Sequence, residues 1–349
     1  MNLQTKITIV APDFSIDYNS KLMMLGSCFA ENIGSKFSYY KFDVDVNPCG
    51  IIYNPLSVAN VLRLIMEGKR FEKNDLRKVG EKWVSLYHHG AFSSTDPDEC
   101  LSRINGRLEK AAEELCSLDL LVITWGTAWV YKHVRENMIV SNCHKIPAQE
   151  FERSRLSVEN IVEEYVELIE RLREINPGLR ILFTVSPIRH WKDGAHGNQL
   201  SKATLLLAID QLREKLEYVY YFPAYEIVLD ELRDYRFYAD DMLHVSGFTV
   251  DYIWERFLYS FITPDVLGLM NQIGRINKGM AHRPFDSKSE DYQRLVKKML
   301  AEMAMISHSY PMIDFSAEEE KLRNLKFRIA QEAPQPYLAP RRDSILVGK

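Results

Sequence analysis

Three short apolar runs, each of strand length and each followed by helical periodicity, constrain this chain more than any other feature. They are Leu22–Leu25, Asp119–Thr124 and Arg180–Val185, and Tyr218–Tyr221 adds a fourth. A run that is apolar at successive positions suits a strand covered on both faces, as in a parallel sheet. Between the runs lie amphipathic patterns at 28–40, 56–67, 98–116, 157–175, 198–216 and 247–260. In the first of these, Phe29, Ile33, Phe37 and Tyr40 recur every three to four residues, which predicts a helix with one buried face. The alternation predicts an α/β fold with helices on both faces of a parallel sheet. In such folds the chemistry gathers in loops beyond the carboxyl ends of the strands. Ser27, Cys28, Gly126, Thr127, the segment Ser186–His190 and, by inference, His244 are therefore expected on one rim.

The chain has 349 residues and a net charge of −4, so no overall basic field recruits nucleic acid or an anionic membrane. No apolar run reaches the length of a membrane span, and the first residues carry no signal-peptide pattern. Five cysteines (28, 49, 100, 116 and 143) are scattered without paired metal spacing, which leads us to expect a reduced, cytoplasmic protein. An α/β domain is expected over 1–262. A helical extension follows at 263–349, with helices at 265–280, 288–307 and 316–332 and a poorly ordered proline-rich tail from Pro334. Loose alternation over 82–88 suggests a short strand, and 128–134 with 138–141 suggests a hairpin.

Two motifs carry chemistry. Gly26-Ser27-Cys28 ends the first strand and opens the first helix, where unpaired N–H groups and the helix dipole favour an anion. A nucleophile there would be exposed and its anionic form favoured; alternatively Ser27 caps the helix and Cys28 packs beneath it. Asp241-x-x-His244 can place a carboxylate against an imidazole ring and fix which nitrogen faces a nucleophile. Arg189-His190 could orient an acidic substrate or form a rim ion pair. His88-His89 lacks a third ligand at metal spacing. Trp125, Trp129 and Trp191 suit either an aromatic wall or core packing, and Met299–Met305 suits the core face of a helix.

Gly26-Ser27-Cys28-Phe29-Ala30 resembles the signature of the GSCFA domain family. Asn47-Pro48-Cys49-Gly50, Asn142-Cys143-His144-Lys145-Ile146-Pro147 and Ser186-Pro187-Ile188-Arg189-His190 resemble its other motifs, over roughly residues 20–260. That family is similar to the SGNH (GDSL-like) hydrolases. The resemblance implies a three-layer α/β/α sandwich of flavodoxin-like type, a nucleophile turn, an oxyanion glycine, a Gly-x-Asn loop and a closing Asp-x-x-His. It implies an acyl-ester hydrolase working through an acyl-enzyme on a small-molecule or carbohydrate ester. Carried over residue by residue, Gly50 matches the oxyanion glycine, and Asp241 and His244 match the closing pair. Gly126-Thr127-Ala128 stands where Gly-x-Asn is expected, but Ala128 cannot donate, which leaves Asn142, Thr127 or His144 to supply that contact. Laid without a gap on Gly-Asp-Ser-Leu, the turn puts Cys28 at the nucleophile position; a one-residue shift restores Ser27. A helix start and an imidazole are expected to lower the Cys28 pKa. No metal or organic cofactor is implied. The rivals are an O-acyltransferase, which needs an acyl donor such as acetyl-CoA and a hydroxyl acceptor, and a non-catalytic binding protein on the same fold.

Overall fold

The computed structural model describes residues 4–282 and 289–331, with side chains described through residue 324. The chain begins its sheet with β1 (Lys21–Gly26), α1 (Cys28–Tyr39), β2 (Asp43–Val46) and α2 (Pro55–Met66). A small antiparallel pair, β3 (Arg77–Val79) and β4 (Lys82–Val84), precedes α3 (Pro97–Leu115) and β5 (Leu120–Trp125). Next come β6 (Trp129–His133), β7 (Met138–Val140), β8 (Phe151–Arg155), α4 (Val158–Ile175) and β9 (Arg180–Val185). The sheet ends with α5 (Gly194–Lys215) and β10 (Val219–Tyr221), followed by the short α6 (Ala224–Glu226) and α7 (Gly247–Phe261). Last come α8 (Pro264–Ala281), α9 (Glu290–Ser309) and α10 (Ser316–Gln331).

Five strands form one parallel sheet in the order β10-β9-β5-β1-β2. Alternate residues of its strands face opposite ways. Met23, Leu25, Leu121, Ile123, Ile181 and Phe183 join one apolar cluster with residues of α2, α3, α4 and α5. Leu22, Met24, Leu120, Val122 and Leu182 are buried on the other face. There α1 lies with α7, joined by Phe37 edge-on to Trp254 and Phe257. This is the three-layer α/β/α architecture. The helices start where their caps dictate: Ser27, Asn54, Asp96, Ser157 and Ser246 each accept a first-turn N–H, and Pro55 and Pro97 open two of them.

The chain leaves β1 in both directions, to β2 on one side and to β5 on the other. The loops after β1 and β5 therefore part over a crevice, the usual place for a ligand in such sheets. The paired register, Gly26 against Thr124, brings the ends of both strands to the same level.

Several local expectations change. The strand predicted at 82–88 stops at Val84, because Ser85–His88 turns on itself through the His88 N–H and the Ser85 carbonyl. The hairpin of β6 and β7 gains a third strand, β8, from a stretch with no apolar alternation. β2, which no apolar run in the sequence announces, buries only Asp45, held there by Arg107 at 2.5 Å. Trp125, fully buried against Tyr165 and Phe183, is a core residue.

Tyr165 bridges two layers. Its hydroxyl accepts from Trp125 Nε1 (3.2 Å) and donates to the Pro55 carbonyl (2.8 Å). Tyr165→Phe leaves the Trp125 Nε1–H buried without a partner, so we expect a loss of about 1–3 kcal/mol. Urea unfolding checks this, and a midpoint equal to wild type would show the network to be dispensable.

The chain divides into two compact units at Asn271 and Gln272, within α8. In the second unit, Tyr292, Val296, Met299, Met303 and Ile306 form the buried face of α9, while Met305 is exposed. The expected tail from Pro334 lies outside the described residues. No described helix is long and apolar enough to cross a membrane.

Candidate active site

β1 ends in a turn that only glycine can make. Gly26 sits at φ +138°, and its neighbours are laced to the loop that follows β2. The Gly26 N–H donates to Asn47 Oδ1 (2.9 Å), the Ile52 N–H to the Gly26 carbonyl (2.9 Å), and the Asn47 N–H to the Met24 carbonyl (2.8 Å). Ser27 then caps α1: its hydroxyl accepts from the Phe29 N–H (3.3 Å) and is almost fully buried. Cys28, the first helical residue, is half-exposed. Of the two candidate nucleophiles, Cys28 is the partly exposed one and Ser27 serves the helix.

The expected lowering of the Cys28 pKa does not occur. Burial of the thiol raises it above the ordinary value, and Glu31 adds to this. The Cys28 and Phe29 N–H groups and the charge of Lys202 pull the other way without prevailing. The helix start alone is too weak against desolvation.

Lys202 is the residue that sequence reasoning missed. Its side chain is fully buried beside the turn, donating to the carbonyls of Gly126 (2.7 Å) and Ser186 (2.6 Å) at the ends of β5 and β9. Burial lowers its pKa to about 7, opposed by the charge of Cys28. The signal was present: Lys202 lies in step with Leu205, Ile209 and Leu212 on the buried stripe of α5, where a lysine needs a reason.

Across the crevice stands His190. Its backbone N–H donates to Asn198 Oδ1 (3.0 Å), and its ring packs edge-on to Tyr53 at 5.7 Å. Nε2 is buried without a hydrogen-bond partner, so close over Gly126 that a Cβ there would lie 2.9 Å from it. Burial, with Lys202 and His244 adding to it, lowers the His190 pKa to about 3. The ring is neutral and offers a hydrogen bond, not the charge that orienting an acidic substrate requires.

Asp241 and His244 form the closing pair. Asp241 Oδ2 lies 2.6 Å from His244 Nδ1, and Oδ1 accepts the Leu243 and His244 N–H groups, each at 2.9 Å. These bonds, the one to the imidazole first, hold the Asp241 pKa down at about 2. The ring is thereby oriented with Nε2 outward. Arg189 clasps this loop: its N–H donates to the Leu243 carbonyl (3.1 Å) and Nη1 to the Met242 carbonyl (3.0 Å), while the guanidinium stacks on Trp191 at 4.0 Å. Arg189 thus positions the histidine loop. Beside it opens a cleft of about 220 Å³ lined by Arg189, Gln199, Val228, Tyr235 and Tyr238.

The remaining predicted residues have partners of their own. The Gly50 N–H donates to the Asn47 carbonyl (2.7 Å), and the Gly126 and Thr127 N–H groups donate to the Tyr53 carbonyl (2.7 and 3.0 Å). The Thr127 hydroxyl pairs with Ser201 Oγ (3.1 Å). Asn142 Oδ1 accepts the His144 N–H (2.8 Å), and His144 Nε2 lies 2.8 Å from the Ser85 carbonyl. The structure ties these last two to the 85–86 segment, not to the Cys28 turn. His88, buried with Nδ1 against Ser85 Oγ (2.8 Å) and its ring against Phe71 and Phe92, is a core residue. Among the described residues no group of three or more histidine, cysteine or carboxylate side chains could hold a metal ion.

Compared with protein families, residues 21–257 match the GSCFA family, and residues 273–325 match the GSCFA domain protein C-terminal domain. The chain belongs to the GSCFA family. The matched stretch carries every residue of the crevice. No curated protein matches the chain in sequence. Among solved structures it is similar to an acetyl xylan esterase (Est2A) from the rumen bacterium Butyrivibrio proteoclasticus, at 12% identity and TM-score 0.35, over 74% of this chain and 65% of that one. It is also similar to a carbohydrate esterase family 3 protein from Talaromyces cellulolyticus, at 12% identity and TM-score 0.31, over 72% of this chain and 98% of that one. A third is a family two carbohydrate esterase from Clostridium thermocellum, in complex with cellohexaose, at 13% identity and TM-score 0.32, over 76% and 67%.

Proposed function

We propose that this GSCFA chain is an acyl-ester hydrolase that works through a thioester on Cys28. The observation that carries the reading is the braced Asp241–His244 pair, 2.6 Å apart, on a loop that Arg189 fastens to the same rim as Cys28 and His190. An imidazole oriented by a carboxylate is the arrangement that moves a proton to and from a nucleophile.

Cys28 Sγ attacks the ester carbonyl while His244 Nε2 takes the thiol proton. The tetrahedral intermediate collapses, the C–O bond breaks, and His244 returns that proton to the leaving alkoxide. A water then gives a proton to His244 as it attacks the thioester, and the C–S bond breaks to release the acid and the thiol. The developing oxyanion has two donors on offer: the Cys28 N–H at the start of α1 and His190 Nε2, which stays neutral throughout. His190 thus takes the place of the asparagine that Ala128 does not supply. The cleft, with Tyr235 and Tyr238 in its wall and Trp191 exposed near it, suits the flat faces of a carbohydrate or an acyl group.

Release of p-nitrophenol from its acetate by the purified protein tests this. Wild type is expected to turn over and His244→Ala to lose roughly 10²–10⁴-fold, the range for removing a general acid–base group. Asp241→Asn should reduce the rate with KM unchanged, because it disturbs orientation and not binding. Turnover that appears only on adding a hydroxyl acceptor makes the enzyme an acyltransferase. An inert protein whose Cys28 alkylates like an ordinary thiol makes it a binding protein.

A further inference from the structure

Arg189 has more hydrogen-bonding capacity than the fold uses. Its backbone N–H and its Nη1 fasten the segment Met242–Leu243, at 3.1 and 3.0 Å. Nη1 is one corner of the guanidinium. The opposite edge, the two parallel N–H groups of Nε and Nη2, has no acceptor among the described residues. No carboxylate among the described residues pairs with this cation either. Asp234 lines the same cleft, but Arg236 holds it at 2.8 Å, and Arg233, the other cation of the lining, is paired with Asp230. An arginine keeps its charge at every working pH, so the cleft carries a positive charge that the chain itself does not answer.

The guanidinium is also held in place. Its plane lies 4.0 Å from the Trp191 ring centre, and the rings of Tyr235 and Tyr238 stand at 5.9 and 5.8 Å. Tyr235 is 63% exposed, so the aromatic wall is open to a ligand. Gln199 Oε1 accepts the Tyr225 hydroxyl at 2.7 Å, which orients the amide and leaves its NH₂ group as a donor at the cleft. At about 220 Å³ the cleft is smaller than the sites of drug-sized ligands, about 300–1,000 Å³, and suits a single ring. Cleft and crevice share a wall. Arg189 and His190 are consecutive, and Gln199 follows Asn198, whose Oδ1 accepts the His190 N–H at 3.0 Å. The charge that His190 lacks is thus supplied one residue earlier.

We propose that Arg189 determines specificity: the cleft binds the carboxylate of an acidic sugar, and that sugar carries the ester the enzyme cleaves. The inference rests on the reading of the neighbouring crevice as an ester hydrolase. A planar carboxylate matches the free Nε–Nη2 edge, taking both N–H groups at once. The sugar ring lies along the tyrosine wall, and one of its hydroxyls accepts from the Gln199 amide. The ester group then extends past His190 into the crevice. A neutral sugar of the same shape leaves the guanidinium edge unpaired, and a site built to hydrogen-bond a group discriminates strongly against a ligand that lacks it.

Calorimetric titration of the full chain with D-glucuronate, D-glucose and inorganic phosphate tests this without any ester. Glucuronate is expected to bind about tenfold or more tighter than either of the others. Arg189→Lys, which keeps the charge and loses the fork, should weaken glucuronate about tenfold and leave glucose unchanged. Because Arg189 also fastens the histidine loop, a readout in the wild-type protein stands beside the variant: the Arg189 Nε–H resonance should shift on adding glucuronate and stay still with glucose. In kinetics, an O-acetylated glucuronate should exceed O-acetylated glucose in kcat/KM by about tenfold or more, mainly through KM. Equal affinity for glucuronate and glucose, or an Arg189 resonance that glucuronate does not move, overturns the proposal. Phosphate binding as tightly as glucuronate also overturns it, by making the cleft a site for anions at large. A protein that cleaves p-nitrophenyl acetate but does not bind glucuronate keeps the proposed activity and loses this inference. One that binds glucuronate at Arg189 and cleaves no ester loses the activity and keeps the carboxylate site.

Discussion

Cys28→Ala is expected to abolish ester turnover, by roughly 10³-fold or more, without lowering the unfolding midpoint, whereas Ser27→Ala should do nearly the reverse. The asymmetry follows from what each side chain touches. The Ser27 hydroxyl is 1% exposed and accepts the Phe29 N–H, so a substrate carbonyl cannot reach it without uncapping α1. Removing it should cost about 0.5–2 kcal/mol of stability, the usual value of such a cap, and change the rate only through slight movement of the turn. Cys28 is half-buried, and its sulfur is approached by the Cys28 and Phe29 N–H groups at the start of α1, while Ser27 carries the cap. Its loss costs no packing of consequence but removes the atom that would carry the acyl group. Two measurements decide: p-nitrophenyl acetate kinetics and thermal unfolding, for both variants. Acid quench during turnover followed by mass spectrometry should place the acyl adduct on the peptide containing Cys28. If Ser27→Ala is dead and Cys28→Ala survives, the nucleophile is one residue earlier and the cap has been misread.

The parts of this molecule that were legible in the sequence are those where one physical requirement acts alone. A strand buried on both faces must be apolar throughout, so Leu120–Ile123 and Ile181–Phe183 declare themselves. β2 did not, because it lies at the sheet edge and its fully buried residue, Asp45, is carried in by Arg107 from α3. That dependence on a partner 62 positions away leaves no mark on local pattern. The site divides the same way. Asp241 and His244 are three apart and could be paired from spacing alone. The turn at Gly26 announced itself as strand, glycine, helix. The direction of the Cys28 pKa could not be read, since it is set by the depth of burial against α1's dipole. Lys202 was missed for a related reason: it does its work through backbone groups, the Gly126 and Ser186 carbonyls, which every residue carries and no motif records.

Gly26→Ala is expected to cost more stability than any other single methyl group added to this chain, about 3 kcal/mol or more. A Cβ at Gly26 would lie 2.1 Å from the Thr124 carbonyl oxygen, 2.8 Å from its carbon and 3.0 Å from its Cβ. These atoms belong to β5, paired in register with β1 on one side and β9 on the other, so they cannot retreat without opening the centre of the sheet. The backbone angle, φ +138°, adds strain that no L side chain relieves. Gly126→Ala is the informative contrast. There the nearest atom to a new Cβ, at 2.9 Å, is Nε2 of His190, the free end of a side chain that can swing aside. That variant should fold and lose activity, because the ring leaves the position in which it faces the oxyanion. Gly106, on α3 with open space around its Cβ position, should gain about 0.5–1 kcal/mol on substitution by alanine. Denaturant unfolding of the three alanine variants, read beside ester turnover, separates these outcomes. Should Gly26→Ala unfold within about 1 kcal/mol of wild type, the close approach of β1 to β5 at the nucleophile turn is not what shapes this site.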